Sequence, residues 1–323
     1  MAFNHALPVR VCAILLALPL VGCDSQFSAR VEGDYHFSLY GVFNPRSDTQ
    51  AVLVFPVQAN LEEIPRNLAV EVTAEEVESG RLHPWSDSLI QSSQGLVHVF
   101  WSEFAPAYGS EYRLTVSSTA DDRSSEVSVH VPGLSSVEVM PPVRQAYLTQ
   151  DLLVGPDVSN LNSVVVRYVV EAKLPAAWRV YPTVVPSSDD LEPVTPPPGD
   201  SLVVQRMFVP IAYDAFVEPR GSGMAIVVNY HRDASEIWTR LERRGRRDRE
   251  YGVRLIDIEV SMIVSSPDWR PPGGSFDPEA LVQPGAMSNV VRGFGFVGAG
   301  YRLRTPLGLG REDQESLGFR VDG

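Results

Sequence analysis

The feature that most limits what this chain can fold into is a period-two alternation that recurs in short segments along most of its length. Phe37, Leu39 and Gly41 alternate with Ser38 and Tyr40, and Ala51 to Val57 resumes after the turn signal Asn44-Pro45-Arg46-Ser47-Asp48. The same phase appears at Leu68, Val70 and Val72, at Val97, Val99 and Trp101, at Tyr112, Leu114 and Val116, and at Val127, Val129 and Val131. Side chains two apart lie on one face of a strand, so each segment reads as half of a two-faced sheet. Short strands with turn residues between them over about a hundred residues predict a sandwich. The fold class expected is mainly β: an N-terminal Ig/fibronectin-like β-sandwich over residues 35–133, then a second β-rich domain over 134–309 with one short helix. Pro132-Gly133 closes the first unit. Without the Cys pair of Ig domains, the fibronectin-like variant is the better fit.

In the second unit, Ser163 to Val170 is β-branched on both faces, which predicts a central strand. Further strands are expected at Trp178–Val185, 202–209, 224–230, 254–264 and 289–304, with a Pro-rich exposed loop at 186–200. In the strand at 254–264, Ile256, Ile258, Val260, Met262 and Val264 form the apolar face. The helix is read from Asp233 and Glu236 as a capping box, Ile237 and Leu241 on one face, and Gly245 as the stop. Residues 310–323 read as a loose polar tail. No internal repeat of fixed period is visible.

The N-terminus carries a different signal. Val11 to Leu20 is an apolar run about half the ~20 residues that a membrane-crossing helix needs, so it reads as the core of a signal peptide. Leu20-Val21-Gly22-Cys23 then resembles the lipobox of bacterial lipoproteins. The resemblance implies removal of residues 1–22, acylation of Cys23, and a lipid-anchored linker over 23–34. The expected place is the bacterial cell envelope, the outer membrane before the inner, with the membrane contacted through Cys23. Cys12 lies in the removed part, so no thiol remains for a disulfide, a metal site or a nucleophile. About 300 residues remain, enough for two domains. The formal net charge is −13, and Arg10 is the single charged side chain before Cys23. Such a balance disfavours nucleic acid as a partner.

Phe276-Asp277-Pro278, Ser288-Asn289-Val290 and Gly293-Phe294-Gly295-Phe296-Val297-Gly298 resemble the C-terminal signature of a lipoprotein family of unknown function common in Bacteroidota. Phe276 precedes Asp277-Pro278 here, and Glu279 stands where that pattern has Phe. The resemblance implies a two-part β-rich envelope lipoprotein, often encoded beside TonB-dependent outer-membrane receptors, and brings no catalytic residues.

Residues that could carry chemistry are sparse. Gly293-x-Gly295-x-x-Gly298 matches a dinucleotide fingerprint by letter, but Phe294, Phe296 and Tyr301 suit a continuing strand, so no nucleotide is expected. The glycines are then sites of bending or of close backbone approach. His36, His83, His98, His130 and His231 are far apart and lack metal-ligand spacing; His98 and His130 fall on the polar phase of their strands, where exposure is expected. The acidic doublets Glu62-Glu63, Glu75-Glu76, Asp121-Asp122 and Asp189-Asp190 point to opposite sides of an extended chain. Asp189, Asp190 and Glu192 in the Pro-rich loop lack the regular spacing of a Ca²⁺ loop. No catalytic, metal or cofactor site is expected. The sharpest charge feature is Arg240, Arg243, Arg244, Arg246, Arg247 and Arg249, either a dock for lipid phosphate or an acidic partner, or a solvated helix end. Together these readings favour a non-enzymatic accessory or binding role in the envelope. An envelope hydrolase acting on glycans or peptides, and a passive structural component, are the alternatives.

Overall fold

The computed structural model describes residues 34–57, 67–92, 95–156, 158, 160–175, 202–244, 252–269 and 288–321. It is mainly β, as the alternation requires, in two sandwiches. The first contains β1 (Phe37–Phe43), β2 (Thr49–Pro56), β3 (Val70–Glu76), β4 (Arg81–Pro84), β5 (Ser86–Ser92), β6 (Gly95–Glu103), β7 (Glu111–Ser118) and β8 (Ser124–His130). One layer runs β1-β2-β6-β5 and the other β4-β3-β7-β8, the Ig-type arrangement. Their inward side chains, among them Leu39, Val54, Phe100, Leu114, Val116 and Val129, form one core. At one end Phe43 packs on Trp85, Phe104 and Tyr112 at centroid distances of 5.9, 5.8 and 5.8 Å.

The second sandwich repeats that order with different residues. β9 (Ser136–Val139) and β10 (Val143–Arg144) pair with β11 (Leu148–Gly155), followed by β15 (Gly223–Asn229) and β14 (Val217–Arg220). The facing layer runs β13 (Leu202–Ala212), β12 (Leu161–Pro175), β16 (Arg254–Ser265) and β17 (Gly293–Pro306). The β-branched segment at 163–170 is central, between β13 and β16. A register shift against Val169/Val170 puts Leu255 opposite Val170, so Leu255 takes the core position that the alternation gave to Ile256. The expected strand at Trp178–Val185 and the loop at 186–200 lie outside the described residues.

A helix, α1 (Tyr230–Arg243), crosses between β15 and β16 and buries Ile237 and Leu241. Its cap corrects the sequence reading. Asn229 is the N-cap: its backbone is extended and its side chain accepts from the Arg232 N–H at 3.0 Å. Asp233 instead sits inside the first turn, fully buried. Gly245, expected as the stop, lies outside the described residues.

The tail is a second correction. It forms a six-residue helix, α2 (Arg311–Ser316), and then inserts Leu317 and Phe319 into the second core. Phe319 stacks on Trp238 at 5.6 Å, and the Arg320 N–H donates to the Val253 carbonyl at 2.7 Å. Arg144 on β10 holds α2 through Asp313 and Glu312. Two apolar side chains suffice to dock a polar segment once a groove exists to receive them.

The joint between the sandwiches is β17. Its first half runs parallel to β1, from Phe37↔Gly293 to Phe43↔Ala299. Its second half is antiparallel to β16, from Gly300↔Ser265 to Pro306↔Glu259. The result is a continuous eight-stranded sheet, β13-β12-β16-β17-β1-β2-β6-β5. Val297 and Ala299 belong to the first core, Tyr301 and Leu303 to the second. Residues of odd number share one face of the strand, so one face of one strand closes two cores. Just before β17, Val291 bridges Glu126 of β8, and the Arg292 carbonyl accepts from Ser125 Oγ at 2.6 Å. The strand is therefore tied to both layers of the first sandwich.

Candidate functional sites

The glycines of β17 are explained by β1. A Cβ on Gly293 would lie 2.3 Å from the Phe37 carbonyl oxygen, and one on Gly295, whose φ is +95°, would lie 2.2 Å from that of Leu39. Both positions therefore require the absence of a side chain. Asn289 completes the motif: its Oδ1 accepts from the Val297 N–H at 3.1 Å and its Nδ2 donates to the Val297 carbonyl at 2.8 Å. The two glycines and the asparagine all serve the pairing and course of the strand. Phe276-Asp277-Pro278 lies outside the described residues.

His98 is a correction. It is fully buried, and its Nδ1 lies 2.9 Å from Asp87 Oδ2. On β6 the inward phase is His98, Phe100 and Ser102, whereas Trp101, expected inside, is half-buried and donates to Ser88 Oγ at 3.0 Å. From Val97 to Trp101 both phases of this strand are apolar apart from His98, so alternation could not choose between them. Phe100 paired with Val52 and Asp87 did. His130 is exposed, 3.1 Å from Asp268 and 3.6 Å from Glu111. Among the described residues no group of three or more His, Cys, Asp or Glu side chains is placed to hold a metal ion.

A polar network centred on Asp233 was not legible in the sequence. Asp233 Oδ2 accepts from the hydroxyls of Tyr168 at 2.5 Å and Tyr213 at 2.6 Å, and its Oδ1 from Arg232 at 2.9 Å. Arg232 in turn lies 4.3 Å from the ring centroids of both Tyr213 and Phe216. Beside it, the Tyr230 hydroxyl donates to Gln150 Oε1. Burial pushes the Asp233 carboxyl above its ordinary range, against the opposing pull of Tyr168, Tyr213 and Arg232. Burial also raises the hydroxyl of Tyr168 well above its usual value, and the Asp233 charge adds to this. The network joins α1 to β12 and to the segment after β13; Asp233, Tyr168 and Tyr213 are buried, Arg232 reaches partly into solvent, and together they hold the helix on the sheet. A tyrosine far from its partner in sequence carries no local signal of such a contact.

A shallow groove of about 340 Å³ runs between α1 and the tail, with His231, Ser235, Trp238 and Glu242 on its walls. It places a histidine and a serine one helical turn apart. However, His231 Nδ1 accepts from the Leu148 N–H at 2.9 Å. The neutral ring must then carry its proton on Nε2, which leaves a donor and no basic nitrogen for Ser235.

Three of the six clustered arginines are described, and they differ. Arg240 pairs with Glu236 at 2.7 Å and donates to the Pro210 carbonyl at 3.0 Å; Arg243 is exposed; Arg244 is half-buried. Arg246, Arg247 and Arg249 lie outside the described residues, as do Cys23, Glu62-Glu63, Asp189-Asp190 and Glu192. Glu75 pairs with Arg113 at 3.3 Å, Glu76 accepts from Ser79 at 2.6 Å, and Asp121 pairs with Arg123 at 2.9 Å, so the described acids serve turns and strand pairs. Among the described residues no helix is long and apolar enough to cross a membrane. The chain matches no protein-family model and no curated protein.

Proposed function

We propose that the chain is a lipid-anchored envelope protein, held at the membrane through Cys23, that acts as an accessory or partner-binding module. The observation that carries this reading is the apolar run ending in Leu20-Val21-Gly22-Cys23. The twelve residues from Cys23 to Asp34 could span at most about 40 Å, so the folded part would stay close to its membrane. The shared strand supports the same reading, because two sandwiches built on one strand present their surfaces as one body. The edge strand β13 exposes Val203, Val204 and Phe208, apolar side chains of the kind that partner surfaces use. A TonB-dependent outer-membrane receptor is the partner class that the family resemblance brings to this proposal.

The test is mass spectrometry of the N-terminal peptide from fractionated membranes, with a Cys23→Ala variant alongside. A diacylated or triacylated Cys23 in the outer-membrane fraction, lost in the variant, is the expected result. Crosslinking from the same membranes should then enrich an envelope receptor. An unmodified N-terminus in the soluble fraction would remove the anchor and the function built on it.

A further inference from the structure

The arginines at the C-terminal end of α1 are not equivalent, and the difference points to a ligand. Arg240 is accounted for by Glu236 and the Pro210 carbonyl, and Arg243 by solvent. Arg244 is not. Its backbone N–H closes the helix on the Arg240 carbonyl at 3.1 Å, but its Nη1 is buried with no hydrogen-bond acceptor among the described residues. Burial and the neighbouring Arg240 charge both work against its positive charge. Leaving a buried donor without an acceptor costs about 1–3 kcal/mol, and more when the group is charged. The negative end of the α1 dipole favours a cation here and so offsets part of the charge penalty. It does not supply the missing acceptor. An incoming anion would remove both penalties at once.

We infer that Arg244, with the exposed Arg243 beside it, forms a binding site for a phosphate group. The Arg244 guanidinium, with the Arg240 charge close to it and Arg243 next in the chain, matches a tetrahedral dianion better than a monovalent carboxylate. The rest of the chain sharpens the assignment: at a net charge of −13 most of the surface repels anions, so a corner where arginines gather is where one can settle. The fold also orients this corner. Pro210, which Arg240 holds, is in register with Arg167, Glu259 and Pro306, at the end of β17 opposite to Gly293 and Phe37. Thirteen steps of strand place it on the order of 40 Å from where the chain leaves for Cys23. The phosphate is either free in solution or borne by a lipid headgroup, and these sources are separable. The inference does not depend on the anchor.

The experiment uses the full chain in detergent. One arm titrates inorganic phosphate by calorimetry; the other measures binding to phosphatidylcholine vesicles with and without phosphatidic acid. Saturable binding in either arm is expected, the first identifying a free phosphate and the second a lipid-borne one. Arg244→Gln should weaken it at least tenfold and Arg243→Gln severalfold, while Arg304→Gln, at an exposed arginine on β17, should leave it unchanged. If Arg244→Gln does not fold, Arg243→Gln against Arg304→Gln decides. No saturable binding in either arm, or equal binding by the Arg244 and Arg304 variants, would overturn the site. So would an Arg244→Gln protein that melts higher than the parent and never responds to phosphate, because the orphaned nitrogen would then be a defect of packing alone.

Discussion

The two sandwiches have the same strand order and fill it in opposite ways. In the first, the end of the core is an aromatic cluster in which His83 stacks on Phe104 at 4.1 Å, and the crossing between layers is fixed by Tyr112, whose hydroxyl accepts from the Ala107 N–H at 3.0 Å. This is the tyrosine corner of Ig-type sandwiches. In the second, the same crossing is a fourteen-residue helix held by a buried carboxylate between two tyrosine hydroxyls. One order of strands tolerates a single hydroxyl or a whole polar network at the same place. Topology follows from alternation and turns, and residue identity decides only how each corner is secured. The sandwiches differ in dependence as well: the first edge strand, β1, is completed by the last strand of the second unit.

The largest effect should come from breaking that dependence. Gly295→Val puts a branched side chain at φ +95°, where even a Cβ would lie 2.2 Å from the Leu39 carbonyl oxygen. A loss of more than about 4 kcal/mol is expected. Because β17 closes both cores, denaturation followed by Trp85 and Trp101 in the first sandwich and Trp238 in the second should collapse together. Separate transitions in the parent protein would show that the shared strand does not couple them.

Asp233→Ala should cost about 3 kcal/mol and loosen α1 while sparing the first sandwich, because it strips the acceptor from Tyr168 and Tyr213 and the partner from Arg232. The same residue gives a pH test. Its folded carboxyl holds a proton more tightly than an unfolded one, so its contribution is full below roughly pH 4 and is lost as pH rises through the folded value. Asp233→Asn, which cannot ionise, should gain on the parent as pH rises through that window. A stability difference flat with pH would mean the carboxylate is not penalised by burial.

Asn289→Ala removes both hydrogen bonds to Val297, and a loss of about 1–2 kcal/mol is expected, felt in the first core before the second. Tyr112→Phe should cost about 1 kcal/mol by urea titration, since it leaves the Ala107 N–H without its acceptor. Asn229→Ala should cost a similar amount through the lost helix cap. If Tyr112→Phe proved as damaging as Asp233→Ala, the two crossings would be equivalent in energy as well as in position.

Much of the fold was legible because alternation is a local property. The phase of Tyr112, Leu114 and Val116 names the buried face without knowledge of any partner, and all three are buried. Where a strand was apolar on both phases, as at Val97 to Trp101, the partner strand had to choose, and it turned His98 inward against Asp87. The helix was found from Ile237 and Leu241, but Asp233 could serve as cap or as buried acceptor. Two tyrosines, one of them 65 residues away, decided that. Of the clustered arginines, sequence gave proximity, and only packing separated the paired Arg240 from the orphaned Arg244.

By itself, the sequence determined the class of fold, the strands that alternate cleanly and the glycine-rich character of the last strand, and it carries the Leu20-Val21-Gly22-Cys23 segment on which the proposed anchor rests. Tertiary structure alone decided that the two sandwiches share a strand order, that one face of β17 closes both cores, and that the polar tail docks on the second. The reason is physical: local patterns fix which side of a segment avoids water, whereas pairing partners, register and buried hydrogen bonds are settled between segments far apart in the chain.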